Sequence, residues 1–569
     1  MAKLHNSKNI DREKSSTKHS LYDRLNRWLE KNNYRWLLII LVVGLLCSIL
    51  SFDIKPSVDG DDTSYVLSAM RIVHSGQLPV GFRTPGYPIV LSLFIWLFGV
   101  HLVMLKASSL LFFLGIIISL FFVFRNRLQP VILSSLLLLV AMNPLMLKYS
   151  HQTFSEILFT LVLVWTIHFV LLSSEKESTR SVIIAALLTM LSFYIRIAGV
   201  TIAGVAVIFF MYQRRWKQLV LYVVLCLALY SPMKIYEMTS GSSTFGQASI
   251  LMLKNPYNTT EGMETLSGFI DRFANNIITH ANYQLPSALG VSMPQELGIA
   301  NGQFIPSAAA FFGIVISAVL FIGCIVPIVR KPRSMQAFLG FFILAYVAFI
   351  SVALQNIFAT PRMLIPIIPY LIIGILEGFR ILGNRWVKET DADATSARAK
   401  VLLVLAVIGL TLANILGTKE SIDENYPVLK ANLSGNEFAG FTEDWSNYLR
   451  SSMWIKKNLP MQSTGIICRK PELFLLYAGS YDVYGAYKID QTNPDSIIAK
   501  WKSLKMTHLL YDNFQWTSTL RRYIQPVAEK YPQMFEMLHQ EGSQYPSYVF
   551  RLNYKSIPES STMHKEPGQ

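Results

Sequence analysis

Just beyond the first long apolar run, Asp59-Gly60-Asp61-Asp62 crowds three carboxylates into four residues. Neighbouring like charges raise one another's proton affinity, so such a cluster suits a general base or a divalent-cation site. The alternative is a solvated turn, where Asp and Gly are common. The same stretch continues through Thr63-Ser64-Tyr65 and a helical pattern to His74, then reaches Arg83-Thr84-Pro85-Gly86-Tyr87-Pro88. Further ionisable residues stand at the ends of apolar runs: Lys106, Lys148, Arg196, Lys234 and Arg362, with His151 and Glu156 nearby. Charges at a membrane boundary are costly and are functional candidates by default, although a lone Lys also snorkels to the headgroups. Taken together they surround the carboxylates with basic groups fit to hold an anionic lipid headgroup. Lys148 is one of the candidates for that phosphate. Glu156 also fits a helix start, where a negative charge meets the favourable end of the macrodipole.

The elements that must position these residues are membrane spans. The chain has 569 residues, 52% hydrophobic and only 15% charged, with a net charge of +15. A soluble protein carries about a quarter charged residues, so the balance points to a polytopic membrane protein and excludes disorder and a disulfide scaffold. Of the four cysteines, Cys47, Cys226 and Cys324 lie in apolar runs and Cys468 stands alone, so no disulfide framework is implied. Eleven runs long enough to span a bilayer are expected, near 35–52, 102–124, 131–148, 157–173, 181–196, 197–212, 219–236, 308–329, 335–354, 363–379 and 401–417. A twelfth run, Tyr87 to Val100, is too short and suits a helix lying in the interface.

Charge then sets the sidedness. Residues 1–34 are polar and basic and are expected to be a cytoplasmic amino terminus before a retained anchor. By parity the loops carrying Arg125 and Arg127, Arg214 to Lys217, Arg330 to Arg333, and Arg380 to Lys400 fall on the same side. Residues 1–35 and the five inner loops (these four and 174–180) hold 24 Lys and Arg against 9 Asp and Glu, which accounts for the whole net charge. Nucleic-acid binding is therefore disfavoured. The expected division is a membrane module at 35–417, with outer loops 53–101 and 237–307, followed by an extracytoplasmic unit at 418–569. That tail mixes helical patterns with strand-like runs at 464–468, 507–511 and 548–552, which predicts a small α/β domain. Its aromatics, among them Trp445, Tyr487 and Trp501, could bind sugar but are more often core.

The stretch from Asp61 to Pro88 resembles the first external loop of GT-C glycosyltransferases that use polyprenyl-phosphate sugars. It is most similar to bacterial enzymes of the dolichyl-phosphate-mannose–protein mannosyltransferase type. The resemblance rests on Asp61-Asp62, Tyr65, Ala69 and Arg83 to Pro88. It extends to Asn143-Pro144 with Tyr149-Ser150 and Ser155-Glu156, to Arg196 within Tyr194 to Gly199, and to Pro361-Arg362-Met363-Leu364-Ile365-Pro366. It implies Asp61 as the catalytic base on the acceptor hydroxyl, with Asp62 as a second acid of the pair. Arg83, Arg196 and Arg362 join Lys148 as candidates for the donor's phosphate. Asp61, Glu156 and His151 become candidate ligands for Mg, Mn or Ca. The implied activity is inverting transfer of one sugar from a polyprenyl-phosphate donor to an acceptor (glycan, lipid or protein) outside the cell membrane. The Trp-Trp-Asp signature of oligosaccharyltransferases is absent, which disfavours transfer of a whole glycan to asparagine. The rival expectation is a flippase or transporter of lipid-linked sugar, which midplane charges and matching halves would favour.

Overall fold

A computed structural model describes residues 21–58, 60–79, 84–240, 250–256, 261–298, 306–384 and 396–557. Arg83 and Asp59 lie outside the described residues. Among those described, eight helices are long and apolar enough to cross a membrane: Asn33–Leu50, Leu102–Phe124, Ser155–Lys176, Trp216–Thr239, Ala308–Arg330, Met335–Ala353, Pro361–Asn384 and Ala397–Leu433. All eight coincide with expected spans. The other three expected spans differ. The run 131–148 is two helices, Pro130–Ala141 and Pro144–Ser150, bent by 53°. Asn143 and Pro144 cause the break: proline cannot continue the preceding helix, and Asn143 Oδ1 caps the new one by accepting from Met146 N at 3.0 Å. The pair 181–196 and 197–212 forms the shorter helices Thr179–Ile195 and Ile197–Tyr212. They are separated where Arg196 adopts extended backbone. Gly86–Phe98 is a 13-residue helix, short as its sequence requires.

Backbone contacts draw some spans unusually close. A Cβ on Gly323 would lie 1.9 Å from Gly374 O, and one on Gly378 would lie 2.1 Å from Val319 O. Only glycine fits where Ala308–Arg330 crosses Ile368–Asn384, the small-residue packing of membrane helices. At one end of the bundle the basic connections meet each other. Lys400 pairs with Asp23 at 2.8 Å, Arg127 with Glu175 at 3.0 Å, and Arg215 with Glu177. The carboxylate-rich loop lies at the opposite end, beside the tail.

The helix of the last expected span continues beyond residue 417. Ala397–Leu433 runs on as one 37-residue helix and delivers the chain to the tail. There five strands form one sheet: β1 (Gly465–Cys468), β2 (Asp482–Gly485), β3 (His508–Tyr511), β4 (Phe535–Glu541) and β5 (Ser547–Leu552), in the order β2-β1-β3-β5-β4. The first three neighbours are parallel, while β5 runs antiparallel to β3, and β4 to β5. The expected strands correspond to β1, β3 and β5; β2 and β4 carry too mixed a pattern to be read. Successive residues of β1 feed two cores. Ile466 and Cys468 pack with Trp445, Tyr448 and Phe474, whereas Ile467 packs with Trp501 and Tyr523. This alternation is the two-residue period of a strand buried on both faces.

Candidate active site

The helix Asp61–Ser75 starts after Gly60, whose φ of 81° is a left-handed conformation that favours glycine. Two adjacent carboxylates leave this turn in different directions. Asp62 is buried. It accepts from Ser57 N and Thr63 N, both at 2.7 Å, and burial raises its pKa above the ordinary carboxylate value. Beside it, buried Lys106 donates to the carbonyls of Asp53 and Lys55, each at 2.5 Å. Asp62 and Lys106 thus fasten the chain leaving the first span to the start of this helix. Asp61, with 38% of its side chain exposed, faces a large cavity instead. The acidic pair therefore divides: Asp61 can meet a substrate, and Asp62 holds the turn.

Asp61 Oδ2 accepts from Arg362 Nη1 at 2.8 Å. Arg362 Nε donates to Glu156 Oε1 at 2.6 Å, and Arg196 Nη1 lies 2.8 Å from the same oxygen. Two carboxylates and two guanidiniums thus form one balanced cluster. Glu156 enters it from the first turn of Ser155–Lys176 and is fully buried. Arg362 enters from the 3-10 turn Pro361–Ile367, its guanidinium 4.0 Å from the Phe154 ring centroid. Arg196 comes from the break between the two short helices and also donates to Ser155 Oγ at 2.9 Å. Ser155 Oγ lies 3.1 Å from Tyr65 Oη.

The Thr-Pro-Gly-Tyr element explains itself here. Thr84 Oγ1 donates to Ile195 O at 2.9 Å, and a Cβ on Gly86 would lie 2.7 Å from the carbonyl of Tyr194. Tyr87 packs edge-on against Tyr65, centroids 4.9 Å apart. The motif presses the loop against the residues that carry Arg196.

Of the residues expected to hold the donor's phosphate, Lys148 and Arg362 line the cavity, while Arg196 does not and instead pairs with Glu156. Arg83 falls outside the described residues. Of the candidate metal ligands, Asp61 and Glu156 meet through Arg362, and His151 lies apart from them. Glu156 Oε1 is occupied by two guanidiniums, and Asp61 is paired with Arg362. His151 packs on Phe52 and its Nδ1 faces Asp53 N at 3.4 Å; burial pushes its pKa down to about 3, so it is neutral. Among the described residues no group of three or more His, Cys, Asp or Glu side chains is placed to hold an ion. The described residues therefore form no divalent-metal site.

The cavity measures about 1610 Å³. Its floor is the loop and span-end residues Asp61, Arg71, Lys148, Tyr149 and Arg362; its roof is the tail, through Trp445, Arg469, Lys470, Glu472, Tyr487, Lys488 and Trp516. Composition and spacing gave no sign of this roof, apart from marking Trp445 and Tyr487 among many tail aromatics. Arg469, Lys470 and Glu472 follow β1, Tyr487 and Lys488 follow β2, and Trp516 follows β3; of these strands only β1 and β3 are legible in the sequence.

No family model and no curated protein matches the chain by sequence. Its fold, in contrast, matches solved structures over most of its length. ArnT from Cupriavidus metallidurans aligns with TM-score 0.54 in the apo state and 0.56 bound to undecaprenyl phosphate. In both cases identity is 13%, over 92% of this chain and 99% of ArnT. The archaeal oligosaccharyltransferase AglB from Archaeoglobus fulgidus, in complex with an inhibitory peptide and a dolichol-phosphate, aligns with TM-score 0.51 and 15% identity. That alignment covers 93% of this chain and 75% of AglB. The chain therefore has a GT-C fold and is a multi-pass membrane protein.

Proposed function

We propose that this protein is a membrane glycosyltransferase that moves one sugar from a polyprenyl-phosphate donor to an acceptor on the extracytoplasmic side of the cell membrane. Asp61 carries the reading: it is the cavity-lining carboxylate of the acidic pair and sits beside Arg362. The polyprenyl phosphates bound to ArnT and AglB support the donor class. Positive-inside charge supports the sidedness, with the basic connections at one end and the cavity at the other.

The reaction begins when Asp61 takes the proton of an acceptor hydroxyl as its oxygen attacks the anomeric carbon. The carbon–phosphate oxygen bond breaks on the opposite face, which inverts the centre. Protonation removes one negative charge from Asp61 while the departing lipid phosphate gains one. Arg362, relieved of Asp61, then has charge available for the phosphate. Glu156 keeps Arg362 in place throughout, and Arg196 with Ser155 keeps Glu156 in place. Lys148, exposed on the floor, supplies a further cation at the cavity wall.

The test replaces Asp61 with Asn and follows radiolabelled sugar from a lipid-linked donor into acceptor in membranes. The expected outcome is a loss of transfer of at least ~100-fold, the lower range for a general base. Full activity of Asp61→Asn would overturn the assignment. Lipid translocation by the wild type without any transfer would favour the flippase.

A further inference from the structure

The tail's sheet has a directional feature that bears on the acceptor. Three parallel strands, β2, β1 and β3, end on the same side, and ligands of open α/β sheets bind outside the carboxyl ends of such strands. The residues directly after β1 are Arg469 and Lys470; those after β2 include Tyr487 and Lys488; the segment after β3 reaches Trp516. All five line the cavity above Asp61.

These groups are held firmly. Arg469 and Lys470 are only 5% and 9% exposed. The Arg469 guanidinium lies 5.0 Å from the Trp516 ring centroid and 5.8 Å from that of Tyr487, and Lys470 Nζ lies 4.9 Å from Trp516. Trp445 and Trp516 are parallel within 3°, centroids 6.2 Å apart. Buried Asp444 fixes the Trp516 segment by accepting from Gln515 N at 3.0 Å. The cavity side of this roof carries three cations and one acid, Glu472, which accepts from Tyr487 Oη, and buried Asp512, directly after β3, lies close enough to feel Arg469. Across the cavity the long helix contributes Glu420 and Glu424. The roof also touches the floor where the chemistry is expected. Lys470 Nζ donates to Val58 O at 3.0 Å, and a Cβ on Gly60 would lie 3.6 Å from that Nζ.

From this arrangement we propose that the carboxyl edge of the tail sheet is the acceptor subsite and that it binds an anionic saccharide, one bearing phosphate or carboxylate. Arg469, Lys470 and Lys488 meet the anion, and the exposed Trp516 and Tyr487 offer flat surfaces to a sugar ring. A saccharide seated there lies next to the turn that carries Asp61. This acceptor class rests on the glycosyltransferase reading; the binding itself does not require turnover.

The experiment uses the full chain in lipid nanodiscs without donor, with trigalacturonic acid and glucose 6-phosphate as anionic probes. Maltotriose, a hexaglutamate peptide and inorganic phosphate serve as comparisons, and binding is read by calorimetry. Trigalacturonate or glucose 6-phosphate is expected to bind, and maltotriose to bind at least tenfold more weakly. Lys488→Ala and Trp516→Ala, both at exposed positions, should weaken binding about tenfold together, and Arg469→Met by at least as much. Anionic saccharides that lose more affinity with Lys148→Ala on the floor than with the two roof variants together would be occupying the donor-phosphate site, and that result too would overturn the proposal. If Arg469→Met fails to fold, the two exposed variants decide the matter. Equal binding of maltotriose, tighter binding of hexaglutamate or of phosphate alone, or insensitivity to both exposed variants would overturn the proposal. Transfer and binding are read separately, so full transfer by Asp61→Asn (failure of the catalytic reading) and no binding of the anionic saccharides by the wild type (failure of this one) are different results.

Discussion

Arg362 has two carboxylate partners in unlike surroundings, and removing either charge should have very different consequences. Glu156→Gln keeps the shape but takes the negative charge from a fully buried oxygen that lies 2.6 Å from Arg362 Nε and 2.8 Å from Arg196 Nη1. Two guanidiniums would then remain in the interior with Asp61 as their only acidic partner in the cluster. Breaking a buried pair by removing one member costs about 3–5 kcal/mol. Asp61→Asn removes an equally short ion pair, at 2.8 Å, but its side chain is 38% exposed and water replaces the lost partner. That change should cost about 0–1 kcal/mol. At about 2–4 °C per kcal/mol for a unit of 150–250 residues, Glu156→Gln should melt roughly 6 °C or more below the wild type. Asp61→Asn should melt within ~4 °C of it. Tryptophan fluorescence during heating in one detergent measures both, alongside sugar transfer on the folded fraction. Asp61→Asn should therefore be a folded protein without transfer, and Glu156→Gln an unstable one. A Glu156→Gln variant as stable as the wild type, or an Asp61→Asn variant equally unstable, would refute the division of labour in the cluster.

Three further outcomes follow from the same geometry. Gly86→Ala drives a methyl to 2.7 Å from the Tyr194 backbone and should destabilise by about 1–3 kcal/mol, measured by the same melt; unchanged stability would mean that the loop is not docked there. In the tail, burial raises the pKa of Asp512 from 3.8 to about 7, against the opposing pull of Phe514 N, Arg469 and Arg521. The folded chain therefore keeps a proton between pH 4 and 7 that the unfolded chain releases, so stability falls as pH rises through that window. The slope is at most about 1.4 kcal/mol per pH unit, and Asp512→Asn should remove it; parallel pH profiles for the two proteins would contradict the assignment. Because the cavity carboxylate pairs with Arg362 and not with an ion-binding set, sugar transfer should survive EDTA. Activity lost to chelation and restored by Mg or Mn would show that a metal enters the site.

Much of the fold is legible in single residues and their periods. Hydropathy locates all eight long spans because a bilayer crossing needs only a run of apolar side chains. Asn143-Pro144 and the stretch around Arg196 break the pattern by backbone chemistry, although the lengths of the resulting helices depend on how they pack. In the tail, β1, β3 and β5 are apolar enough to be read. β2 and the edge strand β4 are not, because their residues face partly outward.

The sequence by itself determines that this is a multi-span membrane protein with its charge biased to one face and with acids, arginines and a Thr-Pro-Gly-Tyr element in its loops. Tertiary structure alone decides which of the two adjacent aspartates faces the cavity, because one residue of rotation at the start of a helix turns Asp62 inward and Asp61 outward. It alone joins Asp61 to Arg362 across 301 positions of chain, ties both to Glu156, and turns the proposed phosphate ligand Arg196 into that glutamate's partner. It also closes the cavity with the carboxyl ends of three strands. Hydropathy and periodicity are local, whereas an ion pair between distant helices exists only once their packing has set the distance.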